Sequence, residues 1–302
     1  MGAGTSQPTG FCECRDVINK IVTADATDDC AMQMVAATDE MEAKPPFDEV
    51  CKAVRLSNVA PPMPAVPSKK PKVQARPKTE DKDGGSYQGE WIGCWRHGKG
   101  IQVWSDGTRY VGQWHHDVPH GHGRLEQGDV YDGQWKNGKA HGRGVHIALN
   151  HVRYEGDWQN DQKHGQGEEH YTDGGRFSGG YELGKKSGEG VFRWPDGSEY
   201  KGGFHDDLFH GFGRQRWADG RTYEGQWEAN QMHGKGRFKW PDGRSYHGQY
   251  AQGMRHGQGK FRWPDGRVYE GEWISGKQHG EGSLTDKGAT VKGEWKNGLR
   301  IR

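Results

Sequence analysis

"YEGQWEANQMHGKGRFKWPDGRS", residues 223–245, decides the fold of this chain. It holds four glycines and, apart from its rings, only Ala229 and Met232 as apolar residues. No ordinary core can be built from it. The next 23 residues, "YHGQYAQGMRHGQGKFRWPDGRV", repeat the phrase. Tyr223, Gly225 and Trp227 alternate with Glu224 and Gln226, the period-two pattern of a strand with rings and glycine on one face. "EANQMHGKG" interrupts that alternation, a second strand runs through Phe238 and Trp240, and "PDGR" supplies turn residues. Each phrase therefore predicts a β-hairpin.

The phrase recurs to the end of the chain. Tyr87, Tyr110, Tyr131, Tyr154, Phe177, Tyr200, Tyr223, Tyr246, Tyr269 and Val291 open equivalent units, at steps of 23, 21, 23, 23, 23, 23, 23, 23 and 22 residues. Nine units are complete and the tenth stops after Gly298. Such self-similarity overrides a globular reading and predicts a stacked array. The expected fold is all-β, an elongated single antiparallel meander of hairpins. A ring from a neighbouring strand is expected to lie over each strand glycine, since bare backbone leaves a gap on the pleat.

Upstream, the composition shifts twice. Residues 1–56 are acidic and carry four of the five cysteines. Residues 57–86 contain Pro61, Pro62, Pro64, Pro67, Pro71 and Pro77 with Lys69, Lys70 and Lys72, and read as an extended linker. The array is expected over 87–302. Phe47, Val50, Cys51 and Val54 form a short helical stripe that is expected to dock on the array.

The net charge of +1 steers toward neither nucleic acid nor acidic partners. Rings and basic residues interleave in "FRWPDGR" (261–267), but the rings read as core and the cations as solvated, so no nucleic-acid partner is expected. The cysteines, at 12, 14, 30, 51 and 94, have neither a disulfide framework nor zinc spacing. They read as reduced thiols of the cytosol.

"YEGEWISGKQHGEG" (269–282) and "YEGDWQNDQKHGQG" (154–167) resemble the MORN repeat (membrane occupation and recognition nexus), whose pattern is Tyr-Glu-Gly-x-Trp followed by His-Gly-x-Gly. The resemblance covers residues 87–298. It implies an organiser of membrane–cytoskeleton junctions, expected here to be non-enzymatic because no unassigned segment is long enough for the kinase or methyltransferase domain that some family members carry, and the family name implies phospholipid headgroups as an alternative ligand. Several units depart from the pattern. Tyr181 and Ser187 replace Trp and His, "ALNHVRY" (148–154) lacks the Asp-Gly turn, and the Tyr110 unit is two residues short.

No catalytic constellation is legible, and no cofactor is expected. His97, His120, His141, His164, His210, His233, His256 and His279 occupy one repeated position before a glycine. Equivalent positions in adjacent hairpins lie roughly 9.6 Å apart, too far to share an ion. They read as turn residues, with the extra histidines of "HHDVPHGHG" (115–123) incidental and no metal site expected. Gly2 with Ser6 fits an N-myristoylation signal, and Cys12 or Cys14 would carry the second acyl chain that stable anchoring requires.

Two uses of the array follow. One is a scaffold tethered to the cytosolic face of a membrane through Gly2, Cys12 and Cys14. The other is a soluble module. In both, a groove of Tyr110, Trp114, Tyr154, Trp158, Tyr223, Trp227, Tyr269 and Trp273 receives an extended or helical protein segment. Unpaired sheet edges leave a homodimer open.

Overall fold

The computed structural model describes residues 72–80 and 82–302. They form one sheet of 21 strands, β1 to β21 in chain order, every strand antiparallel to the next. No helix occurs among the described residues. The expected all-β meander is the observed fold. Gly2, Cys12, Cys14 and the stripe at residues 47–54 lie outside the described residues.

The unit at Tyr223 shows how the hairpin forms. Strand β14 (Thr222–Glu228) reverses into β15 (Gln231–Lys239) through Ala229 and Asn230, both with positive φ (47° and 64°). That is the primed two-residue turn whose twist suits a hairpin. The turn after β15 is closed twice: Gly243 N–H donates to the Trp240 carbonyl at 3.1 Å and Trp240 N–H to the Arg244 carbonyl at 3.0 Å. Asp242 Oδ1 accepts the Arg244 N–H at 3.0 Å. In "ALNHVRY" the turn survives without its glycine. His151 takes the left-handed position (φ 64°), and Ala148 makes the same pair of bonds. The short unit ends in a tight reversal at Gly128 (φ 73°).

Two expectations about the hairpin are corrected. "HGKG" is not a turn but lies inside β15, as a bulge. The ladder runs Gly225 to Gly236, then Gln226 to His233, leaving Gly234 and Lys235 unmatched. Gly234 takes φ 55°, as glycine in a bulge can. The ring over Gly225 also comes from the glycine's own strand. Tyr223 lies across both Gly225 and Gly236, and its hydroxyl donates to the Gln226 carbonyl at 2.9 Å.

These rings link unit to unit. Trp227 meets Tyr223 edge-on at 5.1 Å and Tyr200 of the preceding unit at 5.5 Å, both at 89°. Its indole N–H donates to the Gly213 carbonyl at 3.2 Å. Equivalent pairs run from Tyr87–Trp114 to Tyr269–Trp295. Each edge-to-face pair contributes about 0.5–1.5 kcal/mol beyond the area it buries.

The sheet also begins earlier than the repeats. Residues Gln74–Glu80, within what reads as linker, form β1 and pair with β2 (Ser86–Ile92). The register slips between Arg76 and Thr79, around Pro77, which has no N–H to give a ladder. An edge strand tolerates that. Arg76 holds it in place, donating to the Gly93 carbonyl at 2.7 Å and lying 5.2 Å over the Trp91 ring.

Candidate interaction surface

The fourth residue of each unit's Y-x-G-x-W phrase explains the bulge. Gln226 Oε1 accepts the Lys235 N–H, which the bulge removes from the ladder, at 2.8 Å. Glu90, Gln113, Gln134, Asp157 and Gln249 do the same for Lys99, His122, Arg143, Gln166 and Gln258 at 2.7–2.9 Å. Where this residue is Gly180 or Gly203 the side chain is missing, and the bulge glycines Gly188 and Gly211 face open space. Gln226→Ala is expected to cost about 1 kcal/mol. The Lys235 amide should then exchange faster while its neighbours keep their protection. Unchanged exchange at Lys235 would contradict the capping role.

The eight rings predicted to line a groove share one face, but all eight are between 0 and 4 % exposed. They are the packed floor of that face. The accessible rings of that face stand at the head of its turns: Trp104, and then Tyr171, Trp194, Trp217, Trp240 and Trp263, each of these five half-buried and 23 residues after the last. Phe238 touches Trp217 at 5.4 Å and Trp240 at 4.4 Å, and Phe261 touches Trp240 at 5.6 Å and Trp263 at 4.7 Å. The stripe is thus continuous from Trp217 to Trp263. Sequence reasoning took these rings for core. The turn position was the available signal, because a side chain at a turn cannot be covered by strands on both sides.

Each of the last three tryptophans carries a cation. Arg221, Arg244 and Arg267 lie 5.3–5.4 Å over Trp217, Trp240 and Trp263. Each guanidinium is also bonded at 2.6–2.7 Å to Asp219, Asp242 or Asp265. The Arg267 backbone N–H and then its guanidinium hold the Asp265 carboxyl below its usual range. The same module, an indole between an ion pair and a phenyl ring, is presented three times.

In the middle of the array the ring floor is interrupted. Glu169 takes the slot that Phe238 and Phe261 fill in later units, opposite the unit's first tyrosine. It is buried, paired with Lys163 and, at 3.4 Å, with Lys186, and it accepts the hydroxyls of Tyr171 and, at 3.2 Å, Tyr181. Burial by itself would raise this carboxyl. The two ammoniums outweigh it and hold it at about 2.

The opposite face is polar and mixed in sign. Glu224 lies across from Arg237, and Lys260 bonds Glu270 at 2.7 Å. Arg237, His247 and Arg262 make one local basic depression, next to a stretch lined by Glu270, Glu272, Glu281 and Glu294. His97, His115 and His116 come together where β3 (Trp95–Val103) meets the end of β4 (Arg109–His115), which sequence reasoning did not foresee.

Comparison with known proteins agrees with this architecture. The family profile described as MORN repeat matches ten consecutive segments: residues 87–109, 110–129, 131–147, 154–176, 177–199, 200–220, 223–243, 246–266, 269–288 and 292–300. No curated protein matches the chain. Among solved structures, the G-box domain of the microcephaly protein CPAP is 14% identical over 66% of this chain and 100% of that one, with a TM-score of 0.34. The TCP domain of SAS-4 (dCPAP) from Drosophila melanogaster, solved with a proline-rich motif of Ana2, is 9% identical over 70% and 99%, with a TM-score of 0.31.

Proposed function

This chain belongs to the MORN-repeat family, and on that premise we propose that it is a non-enzymatic scaffold whose ring-bearing face binds a protein segment while its N-terminus is tethered to a membrane. The tether is acylation of Gly2, completed at Cys12 or Cys14, which places the array at the cytosolic face. The observation that supports partner binding is the accessible stripe from Tyr171 to Trp263. Its rings recur once per hairpin, so successive ones are about 9.6 Å apart, twice the strand spacing. A polyproline segment rises about 9 Å over three residues and returns a side chain to the same face with that period. One partner side chain in three would therefore meet successive tryptophans, and Arg221, Arg244 and Arg267 would add cation–π and backbone contacts.

Two variants of the full chain, expressed in its native cell, test the two halves of the proposal. Gly2→Ala should move the protein from the membrane to the soluble fraction. If Gly2→Ala leaves fractionation unchanged, the tether is wrong. Combined Trp217→Ala, Trp240→Ala and Trp263→Ala should leave fractionation alone. It should also abolish cross-links to a partner from a photoreactive residue placed at the exposed Ala218, next to Trp217 in its turn, with folding confirmed by circular dichroism. Retained cross-links would sink the groove. A soluble module corresponds to loss of the first effect only. The paired charges of the polar face argue against headgroup binding by the repeats.

A further inference from the structure

His97 lies on β3 (Trp95–Val103), and its Nδ1 is buried without a hydrogen-bond partner. The same nitrogen of His141, at the equivalent position, is also unpartnered, so the orphan is a feature of the fold. What differs at His97 is its surroundings. Gly98 pairs with Trp114 of β4 (Arg109–His115), and the next step of the ladder sets His115 beside His97. His116 follows in the two-residue turn, with φ 48°. The His97 ring centroid is 5.1 Å from that of His115 and 5.4 Å from that of His116, and the latter two are 4.3 Å apart. One nitrogen from each ring falls within 4.8 Å of the other two. The Nδ1 atoms of His115 and His116 are 3.3 Å apart.

We propose that His97, His115 and His116 form a zinc site with an open fourth position. At a zinc–nitrogen bond of about 2.0–2.1 Å, tetrahedral ligands stand about 3.3–3.4 Å apart. The His115–His116 pair already has that separation, and rotation of exposed side chains brings the third ring in. Three imidazoles and no carboxylate suit zinc, copper or nickel rather than magnesium or calcium. His120, on β5 (Val118–Gln127), is 5.5 Å from His115 and is the nearest further imidazole.

The site belongs to one junction. Where His205 repeats His115, the other two corners are Ser187 and Asp206. Among the described residues no second group of three such ligands occurs. A bound ion would fasten β3 to the β4–β5 turn. That is near the N-terminal end of the array, where stacked units have fewest neighbours and are weakest.

The test is calorimetric titration of the full chain with zinc chloride, its thiols first alkylated so that cysteines do not compete. One equivalent should bind, and the melting temperature should rise on loading. His115→Gln with His116→Asn should weaken binding roughly tenfold or more. Asn is at home in that turn, as Asn137 and Asn160 show. His97→Gln should weaken it similarly, whereas His279→Gln, at an isolated equivalent position, should not. Absence of a one-equivalent transition in the unsubstituted chain, or the same affinity in the double variant, would overturn the proposal.

Discussion

Gly225→Ala is expected to destabilise the array by about 3 kcal/mol or more and to open it locally. A Cβ at this position would sit 2.5 Å from the Gly236 Cα, 2.6 Å from the Lys235 carbonyl oxygen and 2.6 Å from the Tyr223 hydroxyl. Two of these are backbone atoms of the paired strand, which cannot rotate away. The Tyr223 ring is held edge-on between Trp227 at 5.1 Å and Tyr250 at 5.2 Å. Relief therefore requires β14 and β15 to separate, which withdraws the ring from both neighbouring units. Because stability in such an array sums over nearest neighbours, the damage should stay local. Hydrogen exchange should show protection lost over residues 200–250 and kept over 87–130. Gly266→Ala is the comparison. Nothing lies near its would-be Cβ, and only its φ of 92° resists, for a cost of about 1 kcal/mol. Equal effects of the two substitutions would refute the steric account.

Loss of the Glu169 carboxylate is expected to be the second large effect. Glu169→Gln leaves the Lys163 and Lys186 ammoniums half-buried against rings, 4.9 Å over Tyr154 and 5.3 Å over Phe177, with their shared anion gone. Removing one partner of such a group costs about 3–5 kcal/mol, readable as a lower urea midpoint at pH 7. Acid should do the same to the unsubstituted chain. The folded carboxyl is depressed to about 2 from an ordinary 4.5. Its contribution is therefore complete above pH 4.5 and lost as pH falls toward 2. The linkage amounts to about 3 kcal/mol. Other carboxylates titrate in the same window, so the informative quantity is the difference between the two proteins. A stability gap between them that stays constant from pH 6 to pH 2 would rule this role out.

The repeat was legible because its chemistry is local. Alternation of Tyr223, Gly225 and Trp227 sets a strand face, and "PDGR" sets a turn, within a few residues of each other. The bulge at Gly234 was not, since "HGKG" written along the chain looks like a turn. It becomes a strand only when Gly236 pairs with Gly225 and Gln226 caps the freed N–H. β1 was hidden for a related reason. "QARPKTE" has no apolar alternation, and it joins the sheet through backbone bonds and Arg76 alone. For the candidate interaction surface, the sequence singled out the ring-bearing face but ranked its rings by residue type. Burial ranks them otherwise: Tyr223 and Trp227 are enclosed by rings on either side, while Trp240 stands at a turn and keeps an open edge.

Period and strand polarity belong to the sequence alone, because each is set by neighbours within one hairpin. The partnership of residues far apart in the chain does not. Whether His97 meets His115, or Glu169 meets Lys186, depends on ladder register summed across bulges, and one residue of slip would send either side chain to the opposite face. Only the assembled sheet fixes that register.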